Sequence, residues 1–344
     1  MMLGYSILVH IVWFLSTYFI VVLLLTLLKN KSRLYKFPKP YKNNYLPKVS
    51  IVISAYNEEA NIGFLLASLL SQVQKSIKIQ HIIVVSDGST DQTVAIVKSY
   101  KDRGIECIEG KLRVVKPSRL NQLFSVLKTD VLVIVDADVI CTDPYTLEKL
   151  VCHFRAEENV GLVSGNPQPF PARTLTERAI NNYFYARNSV AEIFDFGKTG
   201  YSVHGFLAYS KTFLQNFRLP TDILNDDAYS YFTCITSKFK HVYVKDAIVH
   251  DRSAGSAKDY IKQINRYILG GYQLHTYFDQ RLVDQAIKLP TEISLQIMLF
   301  QLKKDPIAYL YLKLLTLLSV LYRKIFNHSF EVTWKSITTS KTLI

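Results

Sequence analysis

Val131 to Ile140 reads VLVIVDADVI, and this stretch decides the fold. Five apolar residues in succession, four of them β-branched, predict a strand covered on both faces. The run leads into Asp136 and Asp138. Residues two apart on a strand point the same way, so these two carboxylates are expected to share a side. Close carboxylates repel, and one takes up a proton unless a cation lies between them. The bland account is that they cap the turn after a buried strand. The functional account is a divalent ion, because Mg2+ or Mn2+ commonly binds through one or two protein carboxylates while substrate phosphates complete the shell.

Upstream, VSIVISA (49–55) and IIVVS (82–86) repeat the apolar strand pattern, and a weaker strand is expected near Val114. Helical periodicity falls between them, from about Glu58 to Gln72, Thr90 to Asp102 and Ser118 to Lys128. Strands alternating with helices predict an α/β, doubly wound, Rossmann-like parallel sheet. Such sheets bind ligands beyond the C-terminal ends of their strands. Asn57, Asp87 and Asp136 follow strand ends, so three polar loops should converge on one crevice. From 151 to 250 the pattern loosens, with clusters at GNPQPFP (165–171) and HGF (204–206).

The chain has 344 residues, 49% of them hydrophobic, and can bury a full core. Its net charge of +13 invites a nucleic-acid reading until the charges are located. Residues 29–48 carry seven Lys or Arg and no acid, and from residue 293 onward seven basic residues face only Asp305 and Glu331. What remains between is almost neutral. The basic excess flanks apolar segments, which suits anionic lipid head groups and argues against nucleic acid as a partner. Residues 5–28, YSILVHIVWFLSTYFIVVLLLTLL, contain no Asp, Glu, Lys or Arg. As a helix they reach about 36 Å, enough to cross a hydrocarbon core of about 30 Å. No basic leader precedes them and no small-x-small cleavage site follows, so a retained anchor is expected, with the basic side and the domain behind it in the cytoplasm. A second apolar run, IAYLYLKLLTLLSVLYRKIF (307–326), contains Lys313 and has basic flanks; it reads equally as a second span or as a helix lying in the interface. Cys107, Cys141, Cys152 and Cys234 show no paired spacing, so neither a zinc site nor a disulfide framework is expected.

Read together, VSIVISAYNEEANI, SDGSTDQT, KPSRLN ahead of DAD, LNDDAYSYF and QINRY resemble the membrane-associated members of glycosyltransferase family 2. The order and spacing of five elements across residues 49–271 carry the resemblance. It implies the A-type glycosyltransferase (GT-A) fold of nucleotide-diphospho-sugar transferases and inverting transfer of a sugar from a nucleotide donor, with Mg2+ or Mn2+. Residue by residue, it implies that Tyr56, Glu58 and Asp87 hold uridine, with Asn57 shaping the first loop and Asp87 accepting the imide N–H of uracil. Lys116 would neutralise donor charge, where the bland account is a solvated lysine. Asp138, helped by Asp136, would bind the metal on the diphosphate, and Asp227 would be the general base. Asn225 and Asp226 depart from the usual Thr-Glu.

QINRY stands in for the family's Gln-x-x-Arg-Trp. Ser256 and Asp259 predict a capping box for a helix from about Ala257, on which Gln263, Arg266, Tyr267 and Gly270 share a face. The resemblance implies that Gln263, Arg266 and Tyr267 serve the donor site, Arg266 against the diphosphate and Tyr267 as floor to the acceptor. Tyr in place of Trp shrinks that platform. His204 and His250 are assigned no role.

The expected organisation is a transmembrane anchor (1–28), a basic juxtamembrane linker (29–48), a transferase domain (49–271, its nucleotide-binding half 49–150 and acceptor half 151–271) and an amphipathic C-terminal region (272–344). The expected partners are a UDP-sugar, a lipid-linked or polysaccharide acceptor and the membrane. Two competing readings are a sugar nucleotidyltransferase, for which AYNEEAN lacks a Gly-rich triphosphate loop, and a catalytically silent membrane scaffold on the same fold, which predicts erosion of the base, metal or Arg266 positions.

Overall fold

A computed structural model describes residues 45–190, 197, 199–326, 339 and 343. The expected anchor (1–28) and most of the basic linker lie outside these residues.

One eight-stranded sheet organises the chain. Its strands are β1 (Lys48–Ala55), β2 (Lys78–Asp87), β3 (Ile105–Gly110), β4 (Val131–Asp136), β5 (Val139–Ile140), β6 (Val160–Pro169), β7 (Phe206–Ser210) and β8 (Lys240–Asp251). They lie in the order β3-β2-β1-β4-β7-β6-β8-β5. β1 pairs parallel with β2 and β4, and β2 with β3, as the alternating pattern predicts. The sheet then turns mixed: β7 is antiparallel to both β4 and β6, β6 and β8 are parallel, and β5 closes the edge antiparallel to β8.

The unbroken VLVIV run is explained by what covers it. Val131, Val133 and Val135 face a core that includes Leu65, Leu66 and Leu69 of helix α1 (Ile62–Leu70). Leu132 and Ile134 face the opposite core, with Leu120, Leu123 and Phe124 of a later helix, Lys116–Val126. With both faces dry, alternation disappears, and each buried aliphatic contributes about 1.5–3 kcal/mol.

Two local expectations are corrected. The third strand is Ile105–Gly110, whereas Val114 sits in the following loop. Sequence periodicity missed it because its burial alternates weakly on an edge of the sheet. β4 also ends at Asp136, and the chain turns through Ala137 and Asp138 before β5. Strand alternation therefore does not fix the direction of Asp138.

The remaining helices are α2 (Thr93–Ser99), α3 (Lys116–Val126), α4 (Thr146–Val151), α5 (His153–Ala156), α6 (Leu175–Val190), α7 (Lys211–Leu214), α8 (Asp226–Thr236), α9 (Ala257–Leu274), α10 (Gln280–Ile287), α11 (Thr291–Lys304) and α12 (Pro306–Phe326). α12 packs Ala308 and Leu312 with Ala179 and Ile180 of α6 and with Ala254. It leaves Ile307, Leu310, Leu314, Leu317, Leu318 and Leu321 exposed on other faces. Among the described residues, its segment Pro306–Lys324 is the one helix long and apolar enough to cross a membrane. All four cysteines are free.

Candidate active site

The C-terminal ends of β1, β2 and β4 open on one side of the sheet, and their loops are interlocked. The Asn57 amide N–H donates to Ser89 Oγ (3.1 Å) and that of Thr90 to Asn57 Oδ1 (2.8 Å). The Glu58 and Glu59 amides donate to Thr93 Oγ1 (2.7 Å) and Asp91 Oδ2 (3.1 Å). Asn57 takes a left-handed φ of 52°, which Asn tolerates better than most residues. Polar residues of SDGSTDQT thus lock the first loop, while Asp91 Oδ1 also accepts the Thr93 N–H (3.0 Å) at the start of α2. Gln92, the N-cap of α2, makes no side-chain cap bond.

Asp87 is buried beneath the next loop. Its Oδ1 accepts from the Val114 N–H (2.9 Å) and Arg119 Nε (3.0 Å), and its Oδ2 from the Val115 N–H (3.0 Å). Three of a carboxylate's roughly four acceptor positions are taken. Val115 has a φ of 70°, a strained conformation for a β-branched residue. The two amide bonds to Asp87 hold that strained turn and deliver Lys116 to the start of α3. Arg113, from the same loop, lies 4.0 Å above the Tyr56 ring. Neither Arg113 nor Arg119 stood out in the sequence, because a lone arginine in a loop or on a helix carries no spacing signal.

Lys116 is not a solvated lysine. Its Nζ is 2.7 Å from Asp136 Oδ1 and 3.0 Å from Asp226 Oδ2, bridging the end of β4 and the start of α8. Burial opposes its charge, but Asp136, Asp226 and Asp227 carry its pKa well above the usual range. The positive charge that the acid-ended strand calls for is therefore partly the protein's own.

Asp226 and Asp227 occupy the first turn of α8, which Asn225 caps by accepting the Ala228 N–H (3.1 Å). The departure from Thr-Glu keeps a capping oxygen in place. Burial alone would raise Asp226, but Lys116, with help from Arg266, holds it below the usual carboxylate range. Asp227 is pushed up to about 7 by burial and by the charge of Asp226, against the pull of Lys116. Its Oδ2 accepts the Gly205 N–H (2.9 Å), and the Gly205 carbonyl accepts the Asp136 N–H (2.8 Å). Gly205 thus stitches both acidic segments together at a φ of 36°, where an added Cβ would lie 2.6 Å from Asp136 Oδ2.

Asp138 shares the crevice. Burial first, then the charges of Glu58, Asp136 and Asp251, push it up to about 8. Asp251, at the end of β8 and unremarked in the sequence, is itself pushed up to about 7 by burial, against Arg187. On α9, Gln263 donates to the Tyr267 hydroxyl (3.4 Å), and Arg266 sits 5.2 Å from the Tyr267 ring centre. Gly270, on the same face, lets α9 approach α8, since a Cβ there would be 3.0 Å from Asn225 Cβ. Of the expected capping box only half forms: Ser256 Oγ accepts the Asp259 N–H (3.2 Å), while the Asp259 carboxylate turns to Thr339.

This geometry can be set beside known proteins. The sequence model described as "Glycosyl transferase family 2" matches residues 50–218. The chain carries a glycosyltransferase family 2 domain. The match contains every candidate residue from Tyr56 to Asp138 and ends before Asp227. The chain is 26% identical over 211 residues to the O-antigen chain rhamnosyltransferase RfbN of Salmonella typhimurium, covering 59% of this chain and 65% of that one. It is 31% identical over 122 residues to the 4,4'-diaponeurosporenoate glycosyltransferase of Staphylococcus aureus, covering 35% and 31% respectively. It thus spans under two thirds of either relative. Among solved structures it is similar to the mannosyltransferase PcManGT of Pyrobaculum calidifontis in complex with GDP-Man and Mn2+. The TM-score is 0.55 at 18% identity, over 92% of this chain and 87% of that one. This likeness shows the GT-A fold for the mixed α/β sheet and its covering helices.

Proposed function

We propose that the family 2 domain transfers a sugar from a UDP-sugar to a membrane-bound acceptor, a polyprenyl-linked sugar or a growing polysaccharide, with inversion. The observation that carries this reading is the division of labour among the crevice carboxylates. One of them, Asp227, combines a fixed position on the Gly205 N–H with a pKa near 7, which is what a general base needs near neutral pH. The acceptor hydroxyl loses its proton to Asp227 as it attacks the anomeric carbon, and the bond to the diphosphate breaks on the opposite face. A nucleoside diphosphate leaves without the protonating acid that a glycosidase requires. Lys116 and Arg266 counter the charge that develops on it.

Asp138 and Asp136 fit a divalent ion. Among the described residues no three His, Cys, Asp or Glu side chains gather into a metal cage, and Asp138, pushed up by burial and by the charges of Glu58, Asp136 and Asp251, is a carboxylate that a cation beside it would help to ionise. Such a half-set suits Mg2+ or Mn2+, whose other positions substrate phosphates fill. When bound, the ion would supply Lewis-acid stabilisation of the departing diphosphate. Tyr56, Asn57 and Glu58 would hold the nucleoside, with Asp87 supporting their neighbouring loop and offering its remaining acceptor position to the base.

Membrane attachment is supported by α12. Its inner face is already used by α6, its outer residues are exposed leucines and isoleucine, and Lys303, Lys304, Lys313, Arg323 and Lys324 lie along or beside it. A helix half-packed on its own domain suits the membrane interface better than a span. The donor half then faces the cytoplasm.

The test is nucleotide release from a panel of UDP-sugars and GDP-mannose by detergent-purified full-length protein with Mn2+ or Mg2+, with membrane lipid extract as acceptor. Release on a UDP-sugar, abolished by EDTA and by Asp227→Asn, is the expected result. Release on GDP-mannose alone would overturn the donor assignment. Nucleotide binding without release on any donor would favour the silent scaffold.

A further inference from the structure

The sequence ends in a segment whose role its residues do not disclose, and two residues of it are described. Leu343 is 1% exposed and Asn61, at the entrance to α1, is 0% exposed. The Leu343 amide N–H donates to Asn61 Oδ1 (3.1 Å), and the other end of that amide, Nδ2, donates to Glu58 Oε2 (3.0 Å). The Leu343 carbonyl accepts from Arg252 Nη2 (2.6 Å) and Nε (3.2 Å). Arg252 is buried just beyond β8 and paired with the equally buried Glu177 of α6 at 3.4 Å. Four residues earlier, the Thr339 hydroxyl donates to Asp259 Oδ2 (2.7 Å) and accepts the Gly255 N–H (3.0 Å) at the start of α9.

These contacts form a strap. The backbone of one tail residue, Leu343, satisfies a buried amide of the nucleotide-binding half through its N–H and a buried guanidinium of the acceptor half through its carbonyl. Removing it would leave Asn61 Oδ1 without its donor in a site closed to water, so the amide would turn and release Glu58. We propose that Leu343 and Thr339 are positioning residues for the first donor loop, setting the place of the Glu58 carboxylate through Asn61 and coupling it to the start of α9. The assignment rests on the donor-site reading above. The loop, α9 and the tail end would then settle together when nucleotide binds, although the tail touches none of the reacting atoms.

Leu343→Pro removes the single N–H that Asn61 accepts while keeping the carbonyl that Arg252 uses. Binding of UDP and of GDP, with Mn2+, is measured by calorimetry on full-length protein, beside thermal unfolding and donor KM. Loss of one buried hydrogen bond that sets the loop is expected to weaken nucleotide binding about fivefold. KM for the donor should rise with it and kcat stay close to wild type. Thr339→Val should move the same quantities in the same direction by about twofold to threefold, with Thr339→Ser restoring them. Glu58→Ala separates the two ideas. If wild type binds neither nucleotide, or Glu58→Ala binds as wild type does, the donor reading fails and the strap falls with it. If Glu58→Ala weakens binding but Leu343→Pro and Thr339→Val stay at the wild-type Kd, the strap alone is overturned. Should Leu343→Pro not fold, the Thr339 pair decides by the same criterion.

Discussion

The two acidic segments of the crevice are built by opposite means. Asp136 ends a strand buried on both faces, and Asp138 follows it into a turn. Asp226 and Asp227 open a helix that Asn225 caps, where the helix dipole already favours negative charge. Lys116 touches one acid of each segment and leaves one of each without that contact. Burial raises Asp226, Asp227 and Asp138 alike, and contact with the lysine separates them: Asp226 is held low, while Asp227 and Asp138 are pushed up to about 7 and about 8. Under the proposed reaction these adjacent carboxylates would take different jobs, Asp226 as a fixed charge, Asp227 as the proton acceptor and Asp138 as a seat for a cation.

The sharpest way to break this comparison is to exchange the neighbours. Asp227→Asn removes the proton acceptor and should lower kcat by about 10²–10⁴ while leaving nucleotide binding intact. Asp226→Asn should loosen Lys116 and raise donor KM more than it lowers kcat. Steady-state kinetics on both variants would show a reversed pattern if Asp226 were the base. Next in size, Asp87→Asn tests the other half. Its buried pairing with Arg119 and two loop amides predicts a stability loss of about 3 kcal/mol in denaturant unfolding. Unchanged stability with lost UDP binding would instead make Asp87 mainly a ligand contact. Gly205→Ala should cut kcat about 100-fold by displacing Asp136 and Asp227 from each other. Wild-type turnover there would show that the bridge tolerates a side chain.

How much of this was legible depended on whether a residue's role was local. The VLVIV run, the helix spacing and the capped start at Ser256 are set by neighbours in sequence, and each appears near its expected place. The first three motifs, up to DAD, located the crevice for the same reason, since the loops after parallel strands leave the same edge of the sheet, whereas LNDDAYSYF and QINRY reach it on helices. The antiparallel insertion of β7 was not legible, because strand direction depends on a pairing between residues such as Val133 and Ala208 that are far apart in the chain. Nor were the roles of Arg119, Asp251, Gly205 and Thr339, each defined by a contact across elements. The distinction between Asp226 and Asp227 needed the position of Lys116, which a strained turn more than a hundred residues upstream supplies.

The smallest effect is the most specific. Asp227 must be deprotonated to accept a proton, so activity should be present above about pH 7 and fall as pH drops below it. This midpoint is set first by burial, which raises it, then by Asp226, which raises it, Lys116, which lowers it, and Asp136, which raises it; Tyr209, raised well above its usual range by burial and by the charge of Asp227, stays neutral. Neutralising Asp226 removes the largest charge that opposes ionisation of Asp227 and leaves Lys116 with one fewer competing acid. The acidic limb of the kcat profile should therefore move to lower pH in Asp226→Asn, by about one unit. Converting Lys116 to Met should move it the other way. Both shifts can be read from kcat at saturating donor between about pH 5 and about pH 9, a window that spans the Asp227 midpoint of about 7. If the limb stays near pH 7 in both variants, some group other than Asp227 is titrating, and the contrast between the two neighbours has no part in the chemistry.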